Sequence, residues 1–349
     1  MAHRTWRTVR RVVISAIVVV AVFLGTGWIY EWNAERIHRH HNDFGADGII
    51  AKARERLLER GSDRLVVLVH GFGASPMTMA PIFDAFADNT DADLWAPLLA
   101  YHGRTLERFA AFDADAIRAD LADRMAARMK NYDEVVVIGH SFGGALVTDL
   151  VAQGTIPESA TVLLLAPAID IIANTRTTAL ELEAFRVWSA YCDIVEFGCK
   201  TPNPKRNDRK AVEEIYAQAI FFFIVPDAVL QLFDYADAVA PSVDGIDRAV
   251  AIVMAKDDGE VDFDGTRAMC GRLADCRFFG LEAGGHAPMF GATAETLNAL
   301  LLRLADDPTA GCDGLSCAVA PHKDARGPGS AAPAVRSARA QSEEDVPWL

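Results

Sequence analysis

The sequence has no excess of basic residues, is not poor in apolar residues and contains no Cys-x-x-Cys motif. Each of these absences argues against a class of protein. Lysine and arginine together number 34 against 48 acidic residues, so the net charge is −14 and nucleic-acid binding is disfavoured. An apolar fraction of 51% excludes disorder along the whole chain. Without a Cys-x-x-Cys motif, a zinc site is disfavoured.

Charged residues are also absent from one stretch near the N-terminus. Residues 12–30 form an apolar run of 19 residues, which as a helix spans roughly 28 Å, close to the ~30 Å hydrocarbon core of a bilayer. Four arginines precede the run: Arg4, Arg7, Arg10 and Arg11. The positive-inside rule then predicts a cytoplasmic basic segment over 1–11, a transmembrane anchor over 12–30, and a periplasmic or extracellular body. A cleaved signal peptide is the alternative, with Gly25 and Gly27 as the only small residues suited to a cleavage site.

The body is more acidic than the total charge suggests. The first 30 residues carry +4 and the last 29 carry no net charge, so residues 31–320 carry −18. A body of this charge repels nucleic acid and anionic lipid headgroups. We therefore expect the anchor, rather than surface charge, to hold the protein at a membrane.

Cysteine is missing from the first 191 residues. The six cysteines form three sequence-local pairs: Cys192 with Cys199, Cys270 with Cys276, and Cys312 with Cys317. Their spacing favours a disulfide within each pair, which an oxidising compartment would preserve. Free buried thiols are the alternative.

Strand-like and helix-like patterns alternate through the body. Short apolar runs predict strands at 65–69, 93–98, 134–139, 161–167, 249–255 and 276–281, and amphipathic patterns predict helices over 76–89, 113–130, 142–153, 263–274 and 292–306. This alternation predicts an α/β domain with a mostly parallel sheet over 64–308. An aromatic, helix-rich insertion at about 170–245 is expected to form a cap over the carboxyl edge of the sheet. Residues 309–349 are expected to form a C-terminal extension that is disordered from about 320.

Residues 31–63 are expected to form a polar connection between anchor and domain. Five apolar residues in it recur at helical spacing, so the pattern favours helix and gives no sign of a strand: Ile49, Ile50, Ala53, Leu57 and Leu58. His38, His40 and His41 suggest a metal site, but no carboxylate or cysteine is arranged with them. A solvated stretch beside the membrane is the better interpretation.

The most specific motif is Gly139-His140-Ser141-Phe142-Gly143, which lies between a predicted strand and a predicted helix. This is the setting of a nucleophile elbow, in which a strained turn lifts the serine hydroxyl above the sheet. Small residues at Gly139 and Gly143 let the strand and the helix approach closely, and the helix N-terminus adds a positive field. Ser141 is therefore the predicted nucleophile.

A second motif, His70-Gly71-Phe72-Gly73, follows the first parallel strand. In an elbow of this type the oxyanion is bound by the backbone N–H after the nucleophile and by one from such a loop. The predicted donors are the amides of Phe142 and Phe72, with Gly71 and Gly73 allowing the loop conformation. His70 is expected to hold the loop by hydrogen bonding rather than to act as the base.

The general base is expected late in the chain. His286 lies in a small-residue loop after the last predicted strand, whereas His322 lies in the polar tail and His102 and His140 lie in or before the elbow region. The orienting acid is expected after the preceding strand, where Asp258 is favoured because Val261 can anchor its loop. Asp257 is an alternative, and Asp170 is a remote third. The order serine, aspartate, histidine is that of α/β-hydrolases.

These residues carry a resemblance to a known family. The segments LVVLVHGFGASPMTMAPIFDAFA, WAPLLAYHGRTLERF and DEVVVIGHSFGGALVTDLVA resemble the carboxylesterase and monoacylglycerol-lipase branch of the α/β-hydrolase superfamily, and the neighbourhoods of Asp258 and His286 extend the match to about residue 306. The resemblance implies an α/β-hydrolase fold with a helical cap. It also implies hydrolysis of a small-molecule carboxylic ester by Ser141, His286 and Asp258, without metal or cofactor. The anchor, the paired cysteines and the tail depart from the usual soluble form of that family.

The sequence is compatible with several substrates and with more than one class of function. The run Phe221-Phe222-Phe223-Ile224-Val225 suits an acyl-binding cap or a lid touching the bilayer, and equally a cap that only packs onto the sheet. Peptidases, thioesterases and acyltransferases use the same three side chains. A non-catalytic, membrane-tethered binding module is the alternative of another class, and it predicts a broken triad. The sequence leaves the oligomeric state undetermined.

Overall fold

The computed structural model describes residues 2–171, 179–195, 198–202, 215, 217–308 and 316–319. The described helices are α1 (Ala2–His41), α2 (Ala80–Asn89), α3 (Leu106–Ala110), α4 (Ala114–Met129), α5 (Phe142–Ala152), α6 (Ala179–Val195), α7 (Pro226–Val239), α8 (Phe263–Cys270) and α9 (Ala294–Asp306). The described strands are β1 (Arg56–Leu58), β2 (Arg64–Val69), β3 (Asp93–Ala96), β4 (Glu134–His140), β5 (Thr161–Leu165), β6 (Thr201–Pro202), β7 (Phe223–Ile224), β8 (Ala249–Ala255), β9 (Asp275–Leu281) and β10 (Ser316–Val319). The predicted alternation of strands and helices is confirmed.

The main sheet has the strand order β1-β3-β2-β4-β5-β8-β9-β10. Its six central strands run parallel, whereas β1 and β10 pair antiparallel at the two edges. Parallel strands covered on both faces need continuous apolar sequences, which explains the valine- and leucine-rich runs. Alternate residues of β2 illustrate the two faces: Val67 and Val69 pack with α4 and α5, and Val66 and Leu68 pack with α2 and α9. The mostly parallel sheet with helices on both faces that the sequence predicts is confirmed.

The predicted structure of residues 31–63 needs correction. Helix α1 continues through Tyr30 to His41, so the connection starts as helix. The apolar residues beyond it form a 3₁₀ turn, Ala51–Ala53, and strand β1 rather than a helix. Strand β1 is stabilised by pairing with β3, where Leu57 lies opposite Trp95. A strand of three residues is too short for its sequence to show an alternating pattern. His38 is buried rather than solvated.

Helix α1 has an exposed part and a docked part. Its apolar stretch is long enough to cross a membrane and is almost wholly exposed, as in a membrane anchor or an export signal and unlike a core helix. Its last turns pack on the domain through the buried Ala34 and His38. The His38 Nε2–H donates to the Arg104 carbonyl at 2.9 Å. Glu31 pairs with Lys200 at 2.6 Å, so the helix also contacts the inserted region.

The inserted region is described in part. It contains α6, the antiparallel pair β6 and β7, helix α7 and a 3₁₀ turn, Ala240–Gly245. Within the apolar run of five residues, Phe221, Phe223 and Val225 are buried in the core that also covers the sheet. Because alternate residues of the run are buried, packing of the inserted region onto the core explains its apolar character.

Two of the predicted cysteine pairs are bonded. Cys192 joins Cys199, which links the end of α6 to the segment before β6, and Cys270 joins Cys276, which links α8 to β9. Cys312, which belongs to the third predicted pair with Cys317, lies outside the described residues.

Candidate active site

Ser141 occupies the sharp turn between β4 and α5. Its backbone φ and ψ are 54° and −122°, a combination that is costly for a residue with a side chain and is held by the surrounding structure. The Ser141 N–H donates to Leu165 O at 2.9 Å, and Ser141 O accepts from the Ala168 N–H at 3.0 Å. A Cβ at Gly139 would lie 2.6 Å from Gly143 O, so strand and helix approach too closely for a larger residue.

Ser141, His286 and Asp258 form a continuous row of hydrogen bonds. The Ser141 hydroxyl donates to His286 Nε2 at 2.9 Å. The His286 Nδ1–H donates to Asp258 Oδ2 at 2.9 Å. Asp258 Oδ1 also accepts from the amides of Glu260 at 2.8 Å and Val261 at 3.0 Å, which orients the carboxylate. The sheet brings the two loops together because β8 and β9 are parallel neighbours with Ala255 opposite Leu281.

Burial and the neighbouring charges and hydrogen bonds shift the pKa values of His286 and Asp258 in opposite directions. Burial alone lowers the pKa of His286, but the carboxylates of Glu260 and Asp258 outweigh burial and raise it above the usual value. Burial alone raises the pKa of Asp258, but hydrogen bonds from His286 and the two backbone amides outweigh burial and lower it. Asp258 is therefore ionised at neutral pH, and it favours a positive charge on the imidazole when the imidazole gains a proton.

The two alternative acids have other partners. Asp257 is exposed, and its Oδ1 accepts from the Gly285 N–H at 2.8 Å, so it contacts the backbone of the histidine loop. Asp170 lies beside the N-terminus of α8, where its carbonyl oxygen accepts from the Asp262 N–H at 3.2 Å. Of the three acids, Asp258 is the one whose carboxylate contacts His286.

The loop His70–Gly73 lies against Ser141. A Cβ at Gly71 would be 3.0 Å from Ser141 Cβ, so glycine permits the close approach, and Gly73 has a positive φ of 62°. The Phe72 ring packs on Phe112 at 5.3 Å, and Phe112 in turn packs on Phe142 at 5.5 Å. The Phe142 N–H opens α5, where the first amides have no acceptor within the helix.

Sequence reasoning missed two residues that contact the histidine. His140, the second residue of the elbow motif, donates its Nε2–H to the His286 carbonyl at 2.8 Å, and its ring lies 5.0 Å from the His286 ring. Burial, with His286 beside it, lowers the pKa of His140 to about 3, so it is neutral. The second is Glu260, whose Oε2 lies 3.5 Å from His286 Nε2. Glu260 lies two residues after the favoured acid, which is the one signal that could have found it.

The metal interpretation of the histidine-rich stretch finds no support in the part of the chain that the structure describes. Among those residues no group of three or more histidine, cysteine, aspartate or glutamate side chains is placed to hold a metal ion. His38 instead packs between Arg104 O and the Phe221 ring.

Several solved structures share this fold at low sequence identity. One is described as belonging to LipS and LipT, two metagenome-derived lipolytic enzymes; it has a TM-score of 0.60, is 18% identical, and the match covers 74% of this chain and 99% of that one. A monoacylglycerol lipase from Paleococcus ferrophilus matches with a TM-score of 0.56 at 17% identity, covering 72% and 98% of the two chains. An enol-lactonase from Burkholderia xenovorans LB400 matches with a TM-score of 0.52 at 15% identity, covering 73% and 96%. These likenesses concern the fold.

Sequence comparison gives the family. Protein phosphatase methylesterase 1 of Schizosaccharomyces pombe is 31% identical over 122 residues, a match that spans 33% of this chain and only 35% of that protein. The model of the alpha/beta hydrolase family matches residues 66–299. This range includes the Ser141 elbow, the loop with Asp257 and Asp258, Asp170, and the loop with His286. The chain belongs to the alpha/beta hydrolase family.

Proposed function

We propose that this protein is a membrane-anchored serine hydrolase that cleaves carboxylic esters through an acyl-enzyme intermediate. The observation that carries the proposal is the row from Asp258 through His286 to Ser141, with 2.9 Å between successive side chains. A histidine with one nitrogen on an acid and the other on a serine hydroxyl is arranged to move a proton from the serine.

The first half of the reaction forms the acyl-enzyme. Ser141 Oγ forms a bond to the ester carbonyl carbon while its proton passes to His286 Nε2, and the carbonyl π electrons become the oxyanion charge. The amides of Phe72 and Phe142 stabilise that charge, and one such donor contributes about 3 kcal/mol. The intermediate then collapses: the ester C–O bond breaks, the alcohol takes the proton from His286, and the acyl group stays on Ser141.

The second half repeats these steps with water. His286 removes a proton from water as the water oxygen attacks the acyl carbon, and the bond between the acyl carbon and Ser141 Oγ then breaks as Oγ takes that proton from His286. The products are the carboxylic acid and the free enzyme. Asp258 stabilises the imidazolium in both halves without taking its proton.

Lipophilic esters are the proposed substrate class. Five phenylalanine rings pack around the oxyanion loop: Phe72, Phe109, Phe112, Phe142 and Phe221. Phe72 is the partly exposed member, so the loop that lies against Ser141 keeps one apolar ring partly exposed. Apolar esters concentrate in a bilayer, and an anchored enzyme works where they are.

A chain-length series of p-nitrophenyl esters tests this function. The full-length protein in detergent is expected to hydrolyse them, with kcat/KM rising from acetate towards medium and long acyl chains because each added methylene favours an apolar site. Equal rates for all chain lengths would contradict the lipophilic preference. No hydrolysis of any ester by folded protein would contradict the ester hydrolase and favour a binding module.

Retention of the anchor is part of the same proposal. Helix α1 runs unbroken through Gly25 and Gly27, whereas a cleavage site there would need an accessible, non-helical segment. The intact mass of protein purified from membranes distinguishes the two cases. A mass that includes residues 1–27 supports the anchor, and a mass that lacks them contradicts it.

The docked part of α1 is expected to stabilise the domain. His38→Ala removes the bond to Arg104 O and the stacking on Phe221, a buried ring at 5.3 Å. Loss of a buried hydrogen bond and of ring packing costs about 2–4 kcal/mol, which lowers Tm by roughly 5–10 °C. The matched control is His40→Ala, in which the replaced side chain is exposed. Equal Tm values for the two variants in a thermal unfolding scan would show that the docking contributes nothing.

Glu260 is expected to set the acid limb of the pH profile. Its carboxylate raises the pKa of His286, and His286 accepts a proton only when neutral. Glu260→Gln removes the charge, so the pKa of His286 falls and a larger fraction stays neutral at mildly acid pH. The ratio of kcat/KM at pH 5.5 to that at pH 8 is therefore expected to rise.

The control for this variant is Glu282→Gln, which removes an exposed carboxylate paired with Lys256 rather than with the histidine. Its pH profile is expected to match that of the unchanged protein. A Glu260→Gln profile identical to the control, or displaced to higher pH, would contradict the electrostatic role of Glu260.

A further inference from the structure

Two buried histidines link the oxyanion loop to the loop that follows β3. His70 belongs to the first loop and His102 to the second, and both side chains are fully buried. The Leu99 N–H donates to His70 Nε2 at 3.2 Å. The Gly73 N–H donates to His102 Nε2 at 3.1 Å. Each loop thus supplies one histidine acceptor and one amide donor to the other.

These bonds assign the tautomer of both rings. Because each Nε2 accepts a hydrogen bond, it carries no proton, and the ring proton lies on Nδ1. Each Nδ1–H has an acceptor: His70 donates to Gly71 O and His102 to Ala100 O, both at 2.9 Å. Burial, with His102 next to it, lowers the pKa of His70 well below its usual value, and burial lowers that of His102 to about 4. Both rings are neutral at neutral pH.

The hydrogen bond from His70 holds the peptide group whose N–H, that of Phe72, is the proposed oxyanion donor. Gly71 O, which accepts from His70, belongs to the same peptide as the Phe72 N–H. In a trans peptide the C=O and the N–H point in opposite directions, so holding Gly71 O directs the Phe72 N–H to the other side. A hydrogen bond to a carbonyl also polarises its peptide and strengthens the N–H as a donor. On the far side of Phe72, the bond from Gly73 N–H to His102 fixes the next peptide.

We propose that His102 is a positioning residue for the oxyanion hole, acting with His70 as a reciprocal clasp that fixes the direction of the Phe72 N–H. The proposal rests on the proposed function, in which that amide binds the oxyanion. Neither imidazole touches the substrate. The clasp acts on a charge that exists only in the transition state, so its loss lowers kcat and leaves KM nearly unchanged.

Two variants of His102 separate positioning from packing. His102→Phe keeps a ring against Phe109 and Phe112 but has no acceptor for the Gly73 N–H. His102→Gln places an amide oxygen where Nε2 lies. Removing an oxyanion donor costs about 10²–10³-fold in kcat, so misdirecting one is expected to cost about 10–100-fold in His102→Phe. In His102→Gln the loss is expected to shrink to a few-fold, with KM similar in both variants.

Several results would overturn the clasp. One is a His102→Phe variant as active as the unchanged protein, and another is equal losses in the two variants. A third is a loss that appears in KM alone. If the unchanged protein hydrolyses no ester, the proposed function itself fails, which is a different result from an active protein that is insensitive at His102.

The tautomers can be tested without any variant that must fold. In the full chain labelled with ¹⁵N-histidine in detergent, long-range ¹H–¹⁵N spectra at neutral pH distinguish Nδ1–H from Nε2–H rings. We expect at least three Nδ1–H rings, from His70, His102 and His286. Two or fewer such rings would overturn the clasp, because His286 accounts for one of them.

Discussion

Ser141→Ala is expected to abolish ester hydrolysis while leaving the fold intact. In the proposed mechanism the hydroxyl oxygen forms the acyl bond, and loss of a serine nucleophile in a triad lowers kcat on the order of 10⁵-fold or more. The side chain makes one hydrogen bond, to His286, so Tm is expected to change by no more than about 3 °C. The measurement is initial-rate hydrolysis of a p-nitrophenyl ester by both proteins, with a thermal scan of each.

A second serine provides the matched control. Ser242 lies in the 3₁₀ turn after α7, and its hydroxyl donates to Val239 O at 2.7 Å. Ser242→Ala loses one hydrogen bond and no group of the site, so full activity is expected. Activity in Ser141→Ala close to that of Ser242→Ala would show that another residue is the nucleophile.

Asp258→Asn has the second largest expected effect. An asparagine keeps the shape of the side chain, but its NH₂ group donates to His286 Nδ1 and so places the ring proton on Nε2. That nitrogen then cannot accept the serine proton, and the corresponding change in a serine protease triad lowers kcat about 10⁴-fold. A loss of similar size is expected in kcat here.

Asp257→Asn is the comparison that resolves the sequence ambiguity. The Asp257 carboxylate accepts one bond, from the Gly285 N–H, and an asparagine oxygen can accept the same bond. We expect kcat within a few-fold of the unchanged protein. A large loss in Asp257→Asn with a small loss in Asp258→Asn would assign the acid to Asp257 and contradict the site described above.

The parts of the site that the sequence predicted are those encoded locally. The elbow is five consecutive residues between a strand and a helix, and its geometry follows from the need for small residues at Gly139 and Gly143. Chain order predicts Asp258 and His286, because each follows a strand at the same edge of a parallel sheet. Asp257 and Asp258 are adjacent residues with the same side chain. The choice between them depends on the direction of each side chain, which only the three-dimensional structure gives.

The residues that the sequence could not assign act through contacts between distant segments. His102 follows β3 and binds a loop that follows β2, and nothing in its own neighbourhood marks that partner. The polar stretch around His38 predicts a solvated side chain beside the membrane. The structure instead buries His38 against Phe221, which is distant in sequence. Strand β1 is stabilised by its neighbour β3 rather than by its own three residues.

Labelling by a fluorophosphonate tests the central claim most directly, because the reagent reacts with a serine hydroxyl only when a base and an oxyanion site activate it. The full-length protein in detergent would be treated with the probe, digested and mapped by mass spectrometry, with heat-denatured protein as the control. The proposed Ser141 nucleophile predicts one adduct, on Ser141, which is absent after denaturation. An adduct on another residue, or no adduct on folded protein, would contradict it.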